Sequence, residues 1–282
     1  LVEQPNAIDL NPLSFDSASC NGLATGSASV GGITGVTGGN GGYTYTWANA
    51  LTPLVDLGQN NDTAINLIAG TYNIKVEDIK GCSDSVSIAV LEPNALIIGD
   101  SGKIDVTCFG LSNGTAWVVE SSITGGNGGY TYLWDDPLAQ TTDTAKGLDL
   151  GEYKIIVSDS KNCKDSVVLN IIEPNLLVIG DSGKTDVTCF GLSNGTAWVV
   201  ESSITGGNGG YTYLWDDPLT QTTDTAKGLD LGQYNVIVSD SKNCKDSAVL
   251  NVIEPSLLVI GASGKTDVTC FGLSDGTAWV VE

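Results

Sequence analysis

The chain has 282 residues with no Arg, no His and no Met, and its formal net charge is −21. That balance excludes a basic face for nucleic acid or for an anionic membrane surface, and the missing His removes the commonest general base. No apolar run approaches the ~20 residues of a membrane-spanning helix, and no signal-peptide pattern is present.

In chain order, the first signal is repetition. The opening Leu1-Val2-Glu3-Gln4-Pro5-Asn6 resembles the later junctions Leu91-Glu92-Pro93-Asn94 and Ile172-Glu173-Pro174-Asn175. Cys108, Cys189 and Cys270 recur every 81 residues, as do Cys82, Cys163 and Cys244. The expected organisation is therefore the end of a preceding repeat at 1–5, repeats at 6–93, 94–174 and 175–255, and the start of a fourth at 256–282. The expectation is a segment of a longer array. Repeat one is the most divergent and carries an insertion at 51–61. A period of 81 suits one β-domain per repeat rather than a stacked solenoid. The short Glu-Pro linkers predict a stiff rod.

Within repeat two, 95–98 and 105–108 read as a split first strand, interrupted by a turn at Asp100-Ser101-Gly102. A second strand is expected over 115–123, after the turn Ser112-Asn113-Gly114. A third covers 130–134, where Tyr130, Tyr132 and Trp134 share one face by the period of two. It follows the loop Gly125-Gly126-Asn127-Gly128-Gly129, read as a tight reversal. A short strand at 143–148 precedes a hairpin of 151–159 and 166–172 across Ser160-Lys161-Asn162. About seven short strands per repeat predict tandem immunoglobulin-like antiparallel β-sandwiches. Position-by-position comparison of repeats places Ala116, Val118, Tyr153, Ile155, Val157, Val167, Leu169 and Ile171 inward.

The order Cys108-Phe109-Gly110, the Gly125 loop with its Tyr-Thr-Tyr-Leu-Trp strand, Leu148-Asp149-Leu150-Gly151-Glu152-Tyr153, Val157-Ser158-Asp159, Cys163 and Pro174 resembles the SprB-type repeat. Asn162 stands before Cys163 where that family usually has Gly; repeat one keeps Gly81 before Cys82. The resemblance implies a secreted cell-surface adhesin or extracellular filament of Bacteroidota, of the gliding-motility kind, exported by type IX secretion. It implies no catalysis.

Two cysteines per repeat on an exported chain read as disulfides. Pairing inside repeats would join Cys20–Cys82, Cys108–Cys163 and Cys189–Cys244. The strand order favours neighbours, Cys20–Cys163 and Cys108–Cys244, because corner and hairpin sit at opposite ends of one sandwich, beyond disulfide reach. Both pairings stay open at this stage, and Cys270 belongs to the next corner.

Asp-Ser/Thr-apolar triplets resemble the O-glycosylation motif of Bacteroidota. They make Thr63, Thr144, Thr225, Ser85, Ser166 and Ser247 candidate acceptors, with Thr144 and Thr225 favoured. Calcium is the one cofactor weighed, through Asp100, Asp105 and Asp159. No EF-hand loop or calcium nonapeptide is present, and solvated acidic turns are the preferred reading. Gly183-Lys184-Thr185 lacks the earlier Gly of a phosphate loop and reads as a turn.

Strand phase puts Trp117, Val119, Leu133 and Ile156 on outer faces. They recur as Trp198, Val200, Leu214 and Ile237, where repeat one has polar or small residues. This apolar patch predicts lateral packing. The expected role is the structural shaft of an adhesin or filament. Its expected partners are similar chains in a fibre and surface polysaccharide. The alternative is a carbohydrate-binding module array of a secreted multidomain enzyme.

Overall fold

A computed structural model describes residues 3–11, 13–31, 35–50 and 55–281. Residues 1–2 of the expected preceding repeat, 51–54 of the insertion and the final Glu282 lie outside them. Repeat one holds β1 (Leu13–Asp16), β2 (Gly26–Val30), β3 (Thr44–Asn49), β4 (Val55–Asp56), β5 (Thr63–Leu67), β6 (Gly70–Glu77) and β7 (Ser83–Val90). Repeat two holds β8 (Ser101–Ile104), β9 (Gly114–Val118), β10 (Thr131–Trp134), β11 (Thr144–Leu148), β12 (Gly151–Ser158) and β13 (Lys164–Ile171). Repeat three copies it as β14 (Ser182–Thr185), β15 (Gly195–Val199), β16 (Thr212–Trp215), β17 (Thr225–Leu229), β18 (Gly232–Ser239) and β19 (Lys245–Val252). The last strands are β20 (Ala262–Thr266) and β21 (Thr277–Val281).

Each full repeat is a pair of antiparallel sheets. In repeat two the orders are β8-β9-β11 and β10-β12-β13, and in repeat three β14-β15-β17 and β16-β18-β19. Repeat one adds β4 at the edge of β4-β3-β6-β7, so part of its insertion is an extra edge strand. These are immunoglobulin-like β-sandwiches in tandem. The chain divides into two compact units. The first, Leu1–Asp105 with Ser112–Ile172, carries repeats one and two. The second, Val106–Leu111 with Glu173–Glu282, carries repeat three, one corner of repeat two, and β20 and β21.

Alternation in sequence becomes alternation in burial. β9 reads buried, half-buried, buried, so Ala116 and Val118 enter the core while Trp117 stays outside. β10 presents Tyr132 and Trp134 to the inner face, and Trp134 is fully enclosed. Its indole N–H donates to the Thr142 carbonyl at 2.9 Å, so the buried ring leaves no polar atom unpaired. Trp47 and Trp215 repeat this with Asn61 and Thr223 at 2.8 and 2.9 Å. Ile155, Val157 and Ile171 complete the core of repeat two, while Tyr153, Val167 and Leu169 are half-buried. Burying a large side chain of this kind contributes roughly 1.5–3 kcal/mol.

The first strand differs from the expectation. The strand is Ser101–Ile104, across the expected turn, and neither 95–98 nor 105–108 forms one; Ile97 makes only an isolated bridge to Thr124. The cause is tertiary. Gly102 pairs opposite Trp117, and a Cβ on Gly102 would sit 2.4 Å from the Trp117 ring. The glycine keeps an extended strand while leaving room for indole. β9 is also shorter than expected. It ends at Val118, and Glu120–Ser122 form a 3-10 turn. β10 to β13 lie where the period of two puts them, within two residues at each end.

Candidate functional site: the corner and the hairpin

Two local structures recur in every full repeat, and the cysteines sit in them. The hairpin is the turn between β12 and β13. Its tightest position, Asn162, has φ 63°, and Asn243 in repeat three has φ 64°. Gly81 occupies that position in repeat one with φ 81°. The departure from Gly-Cys is therefore conservative, because Asn tolerates the left-handed region better than most residues.

Asp159 organises this turn. Its Oδ1 accepts from the amides of Lys161 and Cys163 at 2.8 and 2.9 Å. Its Oδ2 accepts from the amide and the side-chain nitrogen of Asn127 at 2.7 and 2.8 Å. Asn127 lies in the glycine loop, so that loop is more than the simple turn the sequence suggests. A Cβ on Gly126 would be 2.8 Å from the Asp159 carboxylate, which is why the loop approaches through glycine. Asp240 with Asn208 and Asp78 with Asn40 repeat the arrangement. Burial alone would raise the Asp78 carboxyl. The Asn40 side chain and the amides of Asn40, Lys80 and Cys82 outweigh it and hold the group at about 2. Burial opposes the same bonds at Asp159 and Asp240, and both are likewise lowered.

The corner is the loop after the first strand. Gly110 has φ 74°, and the Leu111 amide closes the turn onto the Cys108 carbonyl at 3.1 Å. The Gly110 amide donates to the Glu173 carboxylate at 2.8 Å. Gly191 donates to Glu254 at 2.8 Å, and Gly22 donates to Glu92. The Glu of each Glu-Pro linker thus holds the corner of the repeat it closes, a role that linker composition does not reveal.

Corner and hairpin meet across repeats. Cys20 is bonded to Cys163 and Cys108 to Cys244, each with Cα atoms 5.5 Å apart. That is the pairing favoured by strand order. The first bridge lies wholly in the first compact unit and the second wholly in the second. Beside each bridge the same Asn reaches over: Asn127 donates to the Ser19 carbonyl at 2.9 Å, and Asn208 to the Thr107 carbonyl at 3.0 Å. Sequence reasoning missed these asparagines. Their signal was available, since Asn40, Asn127 and Asn208 hold one position in a recurring loop. Cys82, Cys189 and Cys270 are unbonded and exposed.

The other candidates are dispersed. Ser85, Ser166 and Ser247 are exposed, whereas Thr63, Thr144 and Thr225 are half-buried. Thr144 sits opposite Trp117 in the ladder and donates to Asp143 at 3.0 Å, and Thr63 donates to Ser29 at 2.9 Å. Asp105 pairs with Lys103 and accepts from the Ile172 amide, apart from Asp159 in its turn. Among the described residues no three acidic or Cys side chains gather as a metal cluster.

Trp117, Val119, Trp198 and Val200 are half-buried on the outer face, with each Trp lying over a glycine of the first strand. Leu133 and Leu214 are 48% and 49% exposed, so this second face is the more open apolar surface. Each is paired across the ladder with half-buried Ile156 or Ile237. Among the described residues no helix is long and apolar enough to cross a membrane.

Comparison with solved structures finds loose likenesses. The three N-terminal domains of the bacteriophage RB49 Highly Immunogenic Outer Capsid protein are 13% identical over 89% of this chain and 100% of that one, with TM-score 0.35. Invasin, a bacterial integrin-binding protein, is 16% identical over 86% of this chain and 60% of its own, with TM-score 0.28. The N-terminal eight Ig domains of Down Syndrome Cell Adhesion Molecule are 12% identical over 84% and 40%, with TM-score 0.25. No curated protein matches the chain. The family model of the SprB repeat matches residues 104–139 and 183–220, from the first strand and corner through the glycine loop to the aromatic strand in repeats two and three. These two stretches of repeats two and three are similar to the SprB repeat.

Proposed function

We propose that this chain is a structural region of an extracellular, cell-surface adhesin or filament, and that it spans distance and carries load without catalysing a reaction. The observation that carries this reading is the corner–hairpin disulfide, built twice on matching residues and joining each repeat to its neighbour rather than closing each on itself. Such bonds persist in oxidising surroundings outside the cytosol. The SprB repeats support a surface adhesin, and with it type IX export and a part in gliding. The open face at Leu133 and Ile156, repeated at Leu214 and Ile237, supports association with similar chains or with surface polysaccharide.

The test is immunogold labelling of intact cells with antibody against this chain, with protease shaving as a second readout. Label on surface fibres, lost on shaving, is the expected result. Label confined to the cell interior would overturn the reading. Glycan-array binding at micromolar strength, abolished by substituting one exposed cleft, would favour a carbohydrate-binding array instead.

A further inference from the structure

We propose that the free edge of β10, and of its copy β16, takes an added β-strand from another polypeptide, one that alternates Lys with apolar residues. An unpaired sheet edge is a template for further pairing, and main-chain bonds supply much of the affinity when a strand is added.

Hydrogen-bond parity leaves this edge open. β10 is the outer strand of β10-β12-β13. Asp135, just past its end, donates its amide across the ladder to the Lys154 carbonyl at 3.1 Å. Bonding alternates along an antiparallel pair, so Thr131 and Leu133 also face β12, while Tyr132 and Trp134 turn their backbone groups outward. The Trp134 amide accordingly donates away from the ladder, to the Gln140 carbonyl at 3.0 Å. Tyr132 has no such neighbour. Among the described residues its backbone N–H and C=O are both without a partner. β16 repeats each step: Asp216 donates to Asn235 at 3.0 Å, Trp215 donates to Gln221 at 2.9 Å, and Tyr213 keeps both groups free. Space lies beside those groups. Where 140–143 leaves the edge to reach β11, a cleft of about 680 Å³ opens, lined by Tyr130, Thr131, Tyr132, Thr141, Thr142 and Asp143. Its copy in repeat three measures about 600 Å³ and is lined by Glu201 as well. Repeat one shows that this edge accepts a strand. There β4 pairs with Ala48 and Asn49 of β3, and the Leu57 amide donates to the Trp47 carbonyl at 2.9 Å. Trp47 holds the place of Trp134.

The side chains around the edge select the strand. A residue opposite Tyr132 would exchange two backbone bonds with it and point to the same side, towards Asp143 and Glu120. Burial, and after it the charges of Glu120 and Asp143, raises the pKa of the Tyr132 hydroxyl, which marks how near those carboxylates lie. Glu201 and Asp224 stand in the same places around Tyr213. A Lys opposite either tyrosine therefore meets two acids. Its neighbours in the added strand point to the other side, beside exposed Leu133 or Leu214, and apolar residues suit them. A second copy of this chain fits poorly. β10 paired with β10 would set the acidic pairs of two copies together, in a chain whose net charge is already −21.

The test titrates the whole chain, bridges intact, with a short synthetic peptide of alternating Lys and Val, and follows single backbone amides by hydrogen exchange. The expected result is slowed exchange at the Tyr132 and Tyr213 amides. The same peptide N-methylated at its Lys residues cannot donate to the Tyr132 or Tyr213 carbonyl and should give no protection. A peptide of alternating Glu and Val should bind about tenfold more weakly. Glu120→Gln with Asp143→Asn should weaken the Lys peptide at repeat two by about threefold to tenfold. The untouched cleft of repeat three then serves as the internal control, and circular dichroism confirms that the variant is folded. No protection, equal binding of the N-methylated or the Glu peptide, or protection of these two amides by an oligosaccharide and not by the Lys peptide would overturn the proposal.

Discussion

Asp159 accepts four hydrogen bonds from two separate loops, and the charged form is the one those bonds favour. Asp78 and Asp240 share the arrangement, and in all three the carboxyl is held below its usual range. A depressed carboxylate contributes stability that is full above the unfolded value near 3.9 and is lost as pH falls through the folded value. For Asp78 that lower bound is about 2. Urea unfolding from pH 6 to pH 2 should therefore show stability level above about pH 5 and falling below about pH 4. Asp159→Asn should flatten part of that fall while lowering stability at pH 7. Asn127→Ala removes one side-chain bond to the carboxylate and should cost about 1.5–3 kcal/mol. A variant with unchanged stability would show that the loop holds the hairpin without its Asn. At Asn162 the left-handed backbone was legible once repeats were compared, because Gly81 stands at the same place.

At the level of strands, legibility followed locality. β12 and β13 could be read directly because their apolar positions alternate over eight residues each and a turn separates them. β8 could not. Ser-Gly-Lys-Ile carries no alternation and resembles a turn, and it is extended because Trp117 from β9 lies over Gly102. The glycine loop failed in the opposite direction. Its composition describes a reversal well but is silent about Asn127, whose partners lie 32 positions on and 108 positions back. The cysteine pairing was within reach because strand order alone sets which corners lie near which hairpins. Gly102→Val tests the account of β8. The new side chain would drive into the indole ring, and overpacking of that kind costs about 1–3 kcal/mol. A red-shifted, more quenchable Trp117 emission should accompany it, and its double with Trp117→Ala should recover part of the loss. If Gly102→Val unfolds at the wild-type temperature, the contact with Trp117 is not what shapes this strand.

Across the whole chain, the two bridges enclose overlapping stretches with sequence separations of 143 and 136. On a loop-closure estimate each bridge of that size constrains the unfolded chain by about 4–5 kcal/mol. Reduction should therefore lower the melting temperature of the chain, and re-oxidation restore it. The covalent path between Cys20 and Cys244 is also shortened. With both bridges intact the shortest route uses both, crossing from Cys20 to Cys163, running back to Cys108 and crossing to Cys244. In single-molecule pulling from the chain ends, reduction should add about 570 Å of contour at ~3.4 Å per residue. An unchanged contour length would mean that the bridges do not form. The overlap has one more outcome, which concerns damage rather than stretching. Between Cys20 and Cys244 every peptide bond is bypassed by at least one bridge, so a single nick anywhere in that span leaves the chain in one covalent piece. A protease that cuts once in an exposed turn would release fragments only when thiol is added. Within that span the chain keeps a second route wherever the first is severed.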